Sequence, residues 1–382
     1  MSEWKKVKLG EITDSCLGKM LDATKNRGEY KPYLANLNVR WGSFDTDNLS
    51  LMKFEEDEDE RYGIKYGDLI ICEGGEPGRC AIWKEQIPDM KIQKALHRVR
   101  PKKGLVDNFY LFYWFLLAGK RNWIDQYCTG ATIKHLPGLK LKEVVVDVPS
   151  LATQHRIASI LSRYDSLIEN YQKQIKLLEE AAQRLYKEWF VDLHFPGHEN
   201  TKIVDSVPEG WEFSKLGDLA EFKRGKTITK KDVVDGSIPV VAGGLEPAYY
   251  CNKSNTSERV ITVSGSGANA GFTRMYFEKV WASDCSYVDK DATSYLHFIY
   301  CFLKDNKTTI DNMQKGAAQP HVYAKDINAL VLCIPTEIIL NSFENKVSAY
   351  YDSIASLQSQ IRLLTEARDR LLPKLMSGEI AV

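Results

Sequence analysis

The chain has 382 residues, of which 44% are hydrophobic and 27% are charged. This length exceeds what one hydrophobic core usually supports, and the composition excludes a largely disordered chain. Lysine plus arginine equals aspartate plus glutamate at 51 each, so any affinity for nucleic acid must come from local basic patches and not from net charge.

The first part of the chain predicts a mixed α/β domain. Segments rich in β-branched residues predict strands at 68–72, 80–83 and 142–148. The aromatic run 109–118 is apolar on every side, which is typical of a buried helix.

A long helix is predicted next, at 151–190. Apolar residues recur there in alternating steps of four and three, which is the a/d seam of a heptad repeat. Glutamate, glutamine and lysine fill the positions between, as an exposed face requires. The predicted seam includes Ile157, Leu161, Ile168, Ile175, Leu178 and Leu185.

The rest of the chain predicts the same elements again. Strands are expected at 259–263 and 328–334, a buried aromatic helix at 295–303, and a second long helix at 337–376. The seam of this helix includes Phe343, Val347, Ile354, Ile361, Leu364 and Leu371.

This second series is an internal repeat of the first. A shift of 186 residues places 109–117 on 295–303 and continues through both long helices without a gap, whereas the openings at Trp4 and Trp211 are 207 apart. The copies therefore differ by 21 residues between their openings and their aromatic helices. A kept framework with a varied interior is expected of a scaffold that carries two different recognition surfaces.

The long helices need a partner for their apolar seams. Each could lie on its own globular domain, but a seam of about 60 Å is longer than such a domain is wide. Pairing of the two helices is more economical, and it is antiparallel because a globular copy lies between them. The predicted fold class is α+β, with two similar mixed α/β domains separated by a long antiparallel two-helix coiled coil in a pseudo-twofold repeat. The predicted segments are domain one at 1–150, a central helical repeat at 151–195, domain two at 196–336 and a C-terminal helical repeat at 337–382.

Motifs for catalysis and for metal binding are missing from the sequence. Gly225-Lys226-Thr227 ends like a phosphate-binding loop, but Ala220 stands where that loop requires glycine. No nuclease, methyltransferase or hydrolase motif is present, and the eight cysteines form no CxxC pair. The nearly apolar stretch 109–119 is too short to span a bilayer, and the first residues lack a signal peptide. We expect a cytoplasmic protein with no catalytic activity and no metal.

Two basic stretches favour contact with nucleic acid. Residues 90–106 contain no acidic residue, and 215–231 are rich in lysine. Each copy adds a glycine-rich loop and a turn that leads to histidine, where backbone can approach phosphate and polar side chains can contact bases. The candidate DNA-binding residues are Gly75, Gly78, Arg79, Lys94, Arg98, Thr132, Lys134 and His135 in copy one, and Lys226, Ser264, Ser266, Asn269, Lys315, Gln319 and His321 in copy two.

Two further motifs complete a resemblance that covers nearly the whole chain. Val207-Pro-Glu-Gly-Trp211 opens the second domain, and Pro149-Ser-Leu leads through Gln154 and Ile157 into the first long helix. With its alternating domains and helices, the chain resembles the specificity (S) subunits of type I restriction–modification systems.

The resemblance implies a function without catalysis by this chain. Each variable domain would recognise one half of a bipartite site in double-stranded DNA, while the helices hold the halves apart and dock two methyltransferase (M) subunits. Restriction (R) subunits would join the larger complex. Adenine methylation with S-adenosylmethionine and ATP-driven cleavage with magnesium would then belong to these partners. The alternative is a coiled-coil scaffold with two protein-binding domains, or a fused enzyme with an unrecognised active site.

Overall fold

The structure, a computed structural model, describes residues 4–22, 24–316 and 319–382. The chain divides into two compact units, unit 1 with Met1–Glu169 and Ile361–Val382, and unit 2 with Asn170–Gln360. Both boundaries fall inside the predicted long helices. Within the described ranges, no helix combines the length and the apolar character needed to cross a membrane.

Unit 1 is built from short strands and helices. Its strands are β1 (Lys5–Lys8), β2 (Thr13–Leu17), β3 (Glu29–Leu34), β4 (Val39–Arg40), β5 (Ser43–Phe44), β6 (Ser50–Phe54), β7 (Leu69–Cys72), β8 (Cys80–Ile82), β9 (Lys91–Ile92), β10 (Leu96–Pro101) and β11 (Val145–Val148). Its shorter helices are α1 (Leu9–Ile12), α2 (Asp59–Tyr62), α3 (Asn108–Lys120) and α4 (Gly138–Glu143). The strand predicted at 142–148 therefore starts later, because its first two residues complete α4.

The strands of unit 1 form three main sheets. A four-stranded antiparallel sheet has the order β2-β10-β7-β8. A three-stranded sheet has the order β6-β3-β9, in which β3 and β9 are parallel. The antiparallel pair β1-β11 joins the opening of the unit to its last strand.

Helix α3 is the centre of the core of unit 1. Every side chain from Tyr110 to Ala118 is buried, which confirms the prediction from the aromatic run. The Asp107 carboxylate caps the helix by accepting a hydrogen bond from the Tyr110 amide at 2.9 Å. Burial of each large side chain stabilises the fold by roughly 1.5–3 kcal/mol relative to exposure.

The second part of the chain begins with the first long helix, α5 (Leu151–Tyr186), which continues into a π-helical turn at Lys187–Val191. The strands of unit 2 are β12 (Ile203–Val204), β13 (Val207–Pro208), β14 (Glu212–Lys215), β15 (Lys223–Arg224), β16 (Ile238–Val241), β17 (Tyr249–Cys251), β18 (Val260–Ser264), β19 (Thr273–Tyr276), β20 (Trp281–Ala282), β21 (Cys285–Asp289) and β22 (Val331–Ile334). The remaining helices are α6 (Leu216–Leu219), α7 (Leu296–Asp305), α8 (Lys307–Asn312), α9 (Ala324–Asn328) and α10 (Glu337–Met376).

Unit 2 repeats the topology of unit 1. Its four-stranded sheet has the order β15-β21-β18-β19, and its three-stranded sheet has the order β17-β16-β20 with the same parallel pair, β16 and β20. The antiparallel pair β14-β22 corresponds to β1-β11. The internal repeat inferred from the sequence is therefore present in the folded chain.

The strand registers show where copy one is longer. Equivalent positions are 207 apart at Leu34 and Val241, 199 apart at Leu51 and Tyr250, and 192 apart at Cys72 and Ser264. The separation falls to 189 at Leu96 and Cys285 and reaches 186 in the aromatic helices. The additional residues thus lie in four connecting segments, the last of which runs from β10 to α3. One of these connections contains the acidic run 55–60.

The apolar faces of α5 and α10 belong to the cores of both units. In unit 1, Ile157 and Leu161 share the core with Leu372 and Leu375. In unit 2, the Trp189 and Phe343 rings lie 5.9 Å apart. All the predicted seam residues are buried or half-buried. The heptad pattern therefore identified the packed face of each helix correctly.

Unit 1 also contains an ionic network between its helices. Tyr113 of α3 donates a hydrogen bond to the Asp165 carboxylate of α5 at 2.6 Å, and Arg368 of α10 donates to the other oxygen at 2.7 Å. Arg368 also donates a hydrogen bond to Asp369. The Asp369 carboxylate in turn forms an ion pair with Lys120 at 2.6 Å. Burial and the Asp165 charge raise the pKa of the Tyr113 hydroxyl, so this group stays a donor.

Replacing Asp165 with alanine is expected to destabilise unit 1. The change leaves the Tyr113 hydroxyl without its acceptor and leaves Arg368 with Asp369 alone, so we expect a loss of about 2–3 kcal/mol. The control is Arg370→Ala, which breaks an exposed pair with Glu366 on α10 and should cost under about 0.5 kcal/mol. Urea denaturation of both variants measures the difference. Equal losses would contradict a stabilising role for the network.

Candidate nucleic-acid interface

In unit 1, the glycine-rich loop 73–79 connects β7 to β8 in a fixed shape. Gly75 and Gly78 have φ values of +72° and +89°, in the left-handed region that favours glycine. The Asn36 side chain donates to the Gly74 carbonyl at 3.1 Å. Arg79 in turn donates to the Asn36 carbonyl at 3.0 Å and to Glu76 at 3.1 Å. The loop is therefore held by hydrogen bonds on both sides.

A hairpin at 129–135 lies beside this loop. Thr129 and His135 exchange two backbone hydrogen bonds of 2.8 Å, and Gly130 provides the left-handed turn with φ +95°. Every residue from 129 to 135 is exposed. The Leu136 amide donates to the Glu73 carbonyl at 2.7 Å, which joins the hairpin to the glycine-rich loop. Loop and hairpin together form one surface, called here the recognition frame.

Unit 2 has the same recognition frame. The loop 264–271 connects β18 to β19, and Lys315 and His321 exchange backbone hydrogen bonds of 3.0 and 2.9 Å. Gly316 has φ +100°, matching Gly130. The Val322 amide donates to the Gly265 carbonyl at 3.1 Å, as Leu136 does to Glu73. These contacts of the described backbone are thus repeated, while most of the exposed side chains differ.

A cleft of about 510 Å³ opens between loop and hairpin in unit 1. Trp41 lines one side and donates from its indole nitrogen to the Glu76 carboxylate at 2.6 Å. Thr132 and Lys134 line the hairpin side. Asn36 and Trp41 were not predicted from the sequence, because both lie in a connection that is longer than its counterpart in copy two.

The structure places most of the sequence-predicted site residues on or beside the recognition frames. Exposed residues are Gly75, Lys94, Thr132, Lys134, His135, Lys226, Lys315 and Gln319. Half-buried residues are Arg79, Ser266, Asn269 and His321, and buried residues are Gly78, Arg98 and Ser264.

The prediction that Arg98 faces DNA is wrong. Its side chain is 7% exposed, and its guanidinium donates to the carbonyl oxygens of Glu60 at 2.8 Å and Gly63 at 3.1 Å. It lies on β10, where alternate side chains point to opposite faces, and a run of basic residues does not reveal which face is covered. Arg100 on the same strand forms two hydrogen bonds with Asp68.

Ser264 is also corrected, because its side chain is buried at the end of β18. Gly78 is buried too, and a Cβ there would lie 3.0 Å from Ile124. Gly78 therefore shapes the loop through its backbone. Ser266 instead donates to Asp284 and helps to fix the loop of unit 2.

The exposed lysines differ in whether an acidic side chain forms an ion pair with them. Lys134 forms an ion pair with Asp125 at 2.7 Å, and Lys315 forms one with Asp326 at 2.8 Å. The hydrogen bond that Lys134 donates to the Asp125 carboxylate raises the pKa of Lys134, so this lysine stays charged. Within the part of the chain that the structure describes, Lys94 and Lys226 have no side-chain partner. Both of these lysines are exposed.

Lys226 has a buried counterpart in unit 1, Lys19. The Lys226 amide donates to the Ala282 carbonyl at 2.9 Å, and the Lys19 amide donates to the equivalent Ile92 carbonyl at 3.0 Å. The Lys19 side chain is 3% exposed and binds Glu58 of the acidic run. The acidic connection of copy one thus covers a charge that copy two leaves exposed.

In residues 4–22, 24–316 and 319–382, no group of histidine, cysteine, aspartate and glutamate side chains is arranged to hold a metal ion.

Comparisons with known proteins agree on one family. A family model described as the type I restriction modification DNA specificity domain matches residues 1–180 and 208–340. The type I restriction enzyme MjaIX specificity subunit of Methanocaldococcus jannaschii is 29% identical over 341 residues, covering 83% of this chain and 78% of that protein. The HindI specificity subunit of Haemophilus influenzae is 20% identical across the full length of both chains.

A solved structure has the same fold. The S subunit of a type I restriction–modification system from M. genitalium superimposes with a TM-score of 0.58 at 18% identity. The superposition covers 98% of this chain and 96% of that one.

Proposed function

The chain belongs to the type I restriction–modification DNA specificity family, and on that premise we propose that it reads a bipartite DNA site, with one unit for each half-site. One observation carries the proposal. The recognition frame occurs twice with the same backbone hydrogen bonds and with different exposed side chains. Such a pair suits two base sequences read by one kind of scaffold, because backbone and phosphate contacts position a protein while side chains select bases.

The chain supplies recognition and leaves the chemistry to other subunits. Its relatives are named specificity subunits of type I restriction enzymes. S-adenosylmethionine, ATP and magnesium then bind to the methyltransferase and restriction subunits. The alternative of a scaffold with two protein-binding domains has no comparable support, since the matched family is a DNA specificity family.

The two long helices pair antiparallel in this proposal, and their pairing sets the distance between the half-sites. In unit 1, Ile157 and Leu161 near the start of α5 share the core with Leu372 and Leu375 near the end of α10. In unit 2, Trp189 just beyond the end of α5 packs on Phe343 near the start of α10. Both sets of contacts favour opposite directions.

A repeated surface on these helices suits the docking of two identical partners. Leu177 is 64% exposed and Leu363 is 61% exposed, although both lie in helices with packed seams. Each is followed on the same exposed side by an ion pair, Glu180 with Arg184 and Glu366 with Arg370. We call these the docking patches: Leu177, Glu180 and Arg184 on α5, and Leu363, Glu366 and Arg370 on α10. Two copies of one patch fit two methyltransferase subunits.

Neutralising Lys226 is expected to weaken DNA binding equally at all sequences. The substitution Lys226→Gln removes one phosphate contact, so the slope of log affinity against log salt should become smaller by about one. Lys94→Gln should do the same, whereas Lys173→Gln on the exposed face of α5 is the control and should leave the slope unchanged. Fluorescence anisotropy of the complex with its methyltransferase subunits, measured over a range of salt, tests this. Unchanged slopes for Lys94→Gln and Lys226→Gln would remove both lysines from the DNA surface.

Each docking patch is expected to hold one methyltransferase subunit. Leu177→Asp or Leu363→Asp should weaken one of the two binding events by about tenfold or more, because each change places an unpaired charge in an apolar contact. The double variant should lose both subunits. Leu139→Asp is the control, since Leu139 is 79% exposed on α4, outside both patches. Native mass spectrometry counts the bound subunits, and two tightly bound subunits on the double variant would contradict the assignment.

A further inference from the structure

One position is structurally equivalent in the two hairpins but carries opposite chemistry. The shift of 186 places Gly130 on Gly316, His135 on His321 and Ile133 on Gln319. A Cβ on Gly130 would lie 2.2 Å from the Ile133 carbonyl oxygen, and a Cβ on Gly316 would lie 2.7 Å from the Gln319 carbonyl oxygen. The described parts of the two hairpins are therefore alike at the glycine and at the residue three positions on, so positions 133 and 319 are equivalent in the two recognition frames.

Both side chains are free to meet a ligand. Ile133 is 66% exposed, and Gln319 is exposed with no side-chain hydrogen-bond partner in the ranges that the structure describes. A single exposed apolar residue is ordinary on a protein surface. Ile133, however, lies at a hairpin tip between Thr132 and Lys134, and its equivalent Gln319 is an exposed amide.

The lysines of the two hairpins already form ion pairs with acidic side chains. Asp125 holds Lys134, next to Ile133, and Asp326 holds Lys315, at the base of the second hairpin. Each hairpin therefore contains a lysine that an acidic side chain keeps in place, next to position 133 in unit 1 and at the hairpin base in unit 2. A neutral side chain that projects beside fixed charges suits a base edge better than a phosphate.

We propose that positions 133 and 319 are equivalent base-reading positions, with Ile133 selecting a thymine and Gln319 selecting an adenine. This inference rests on the proposed function and adds one base in each half-site, which the proposed function leaves open. Isoleucine has no hydrogen-bonding group, so the feature it can favour in the major groove is the C5-methyl of thymine. Glutamine has a donor and an acceptor, which match N7 and the N6 amino group of adenine.

The test exchanges the two side chains in the full complex. Ile133→Gln should change the preferred base from thymine to adenine at one position of one half-site, and Gln319→Ile should make the reverse change in the other half-site. Each preference should change by about tenfold or more. Leu139→Gln, an exposed leucine outside the hairpin, is the matched control and should leave the recognised site unchanged. Affinities for single-base variants of the site, once methylated sites are mapped, provide the measurement.

A second measurement starts with the wild-type complex, so its first result does not depend on the folding of a variant. Replacing the selected thymine with uracil removes only the methyl group, so the wild-type complex should bind that DNA several-fold more weakly. The Ile133→Ala complex should bind both DNAs equally. The assignment of Ile133 is wrong if no thymine-to-uracil change in that half-site weakens binding. It is also wrong if Ile133→Ala weakens binding to both DNAs by the same factor, so that the preference for thymine over uracil remains.

These outcomes separate the inference from the proposed function. A wild-type complex that selects a bipartite site, together with exchanged variants that keep the same preference, overturns only the assignment of positions 133 and 319. A wild-type complex with no sequence preference overturns the proposed function itself.

Discussion

The recognition surface depends on one backbone hydrogen bond that both units share. It runs from Leu136 to Glu73 in unit 1 and from Val322 to Gly265 in unit 2, and it joins a hairpin to a glycine-rich loop. Because backbone groups form it, the side chains at the tip are free to vary without loss of the joint. The same scaffold can therefore present Ile133 in one unit and Gln319 in the other. The recognised sequence can therefore vary while the framework stays the same, because the backbone joins hairpin to loop and the side chains are left to contact the DNA.

The two copies differ in whether acidic residues cover one equivalent lysine. The longer connections of copy one bring Glu58 onto Lys19, whereas copy two leaves the equivalent Lys226 exposed. Burial of an unpaired ammonium group is costly, so the acidic run and the buried lysine depend on each other. The acidic run thus has a structural reason to exist inside a DNA-binding family. The two units consequently offer surfaces of different charge within the same topology.

The sequence predicted the framework well and the site only in part. Heptad spacing identified the packed faces of α5 and α10, and the apolar run identified α3, because both patterns report burial directly. Composition could not show that Arg98 is buried, since a strand alternates faces and the covering residues are distant in sequence. Ile133 was passed over because an exposed apolar residue has no distinctive pattern. Only its equivalence with Gln319 in the folded repeat singles it out.

The central claim is that each unit reads its own half of a bipartite site. The most direct test replaces residues 1–150 with the equivalent domain of a relative and maps methylated adenines in cells that carry the complete system. The account predicts that one half of the recognised sequence changes to that of the relative, while the other half and the spacing between them stay the same. A change in both halves, or no change in either, would contradict the account.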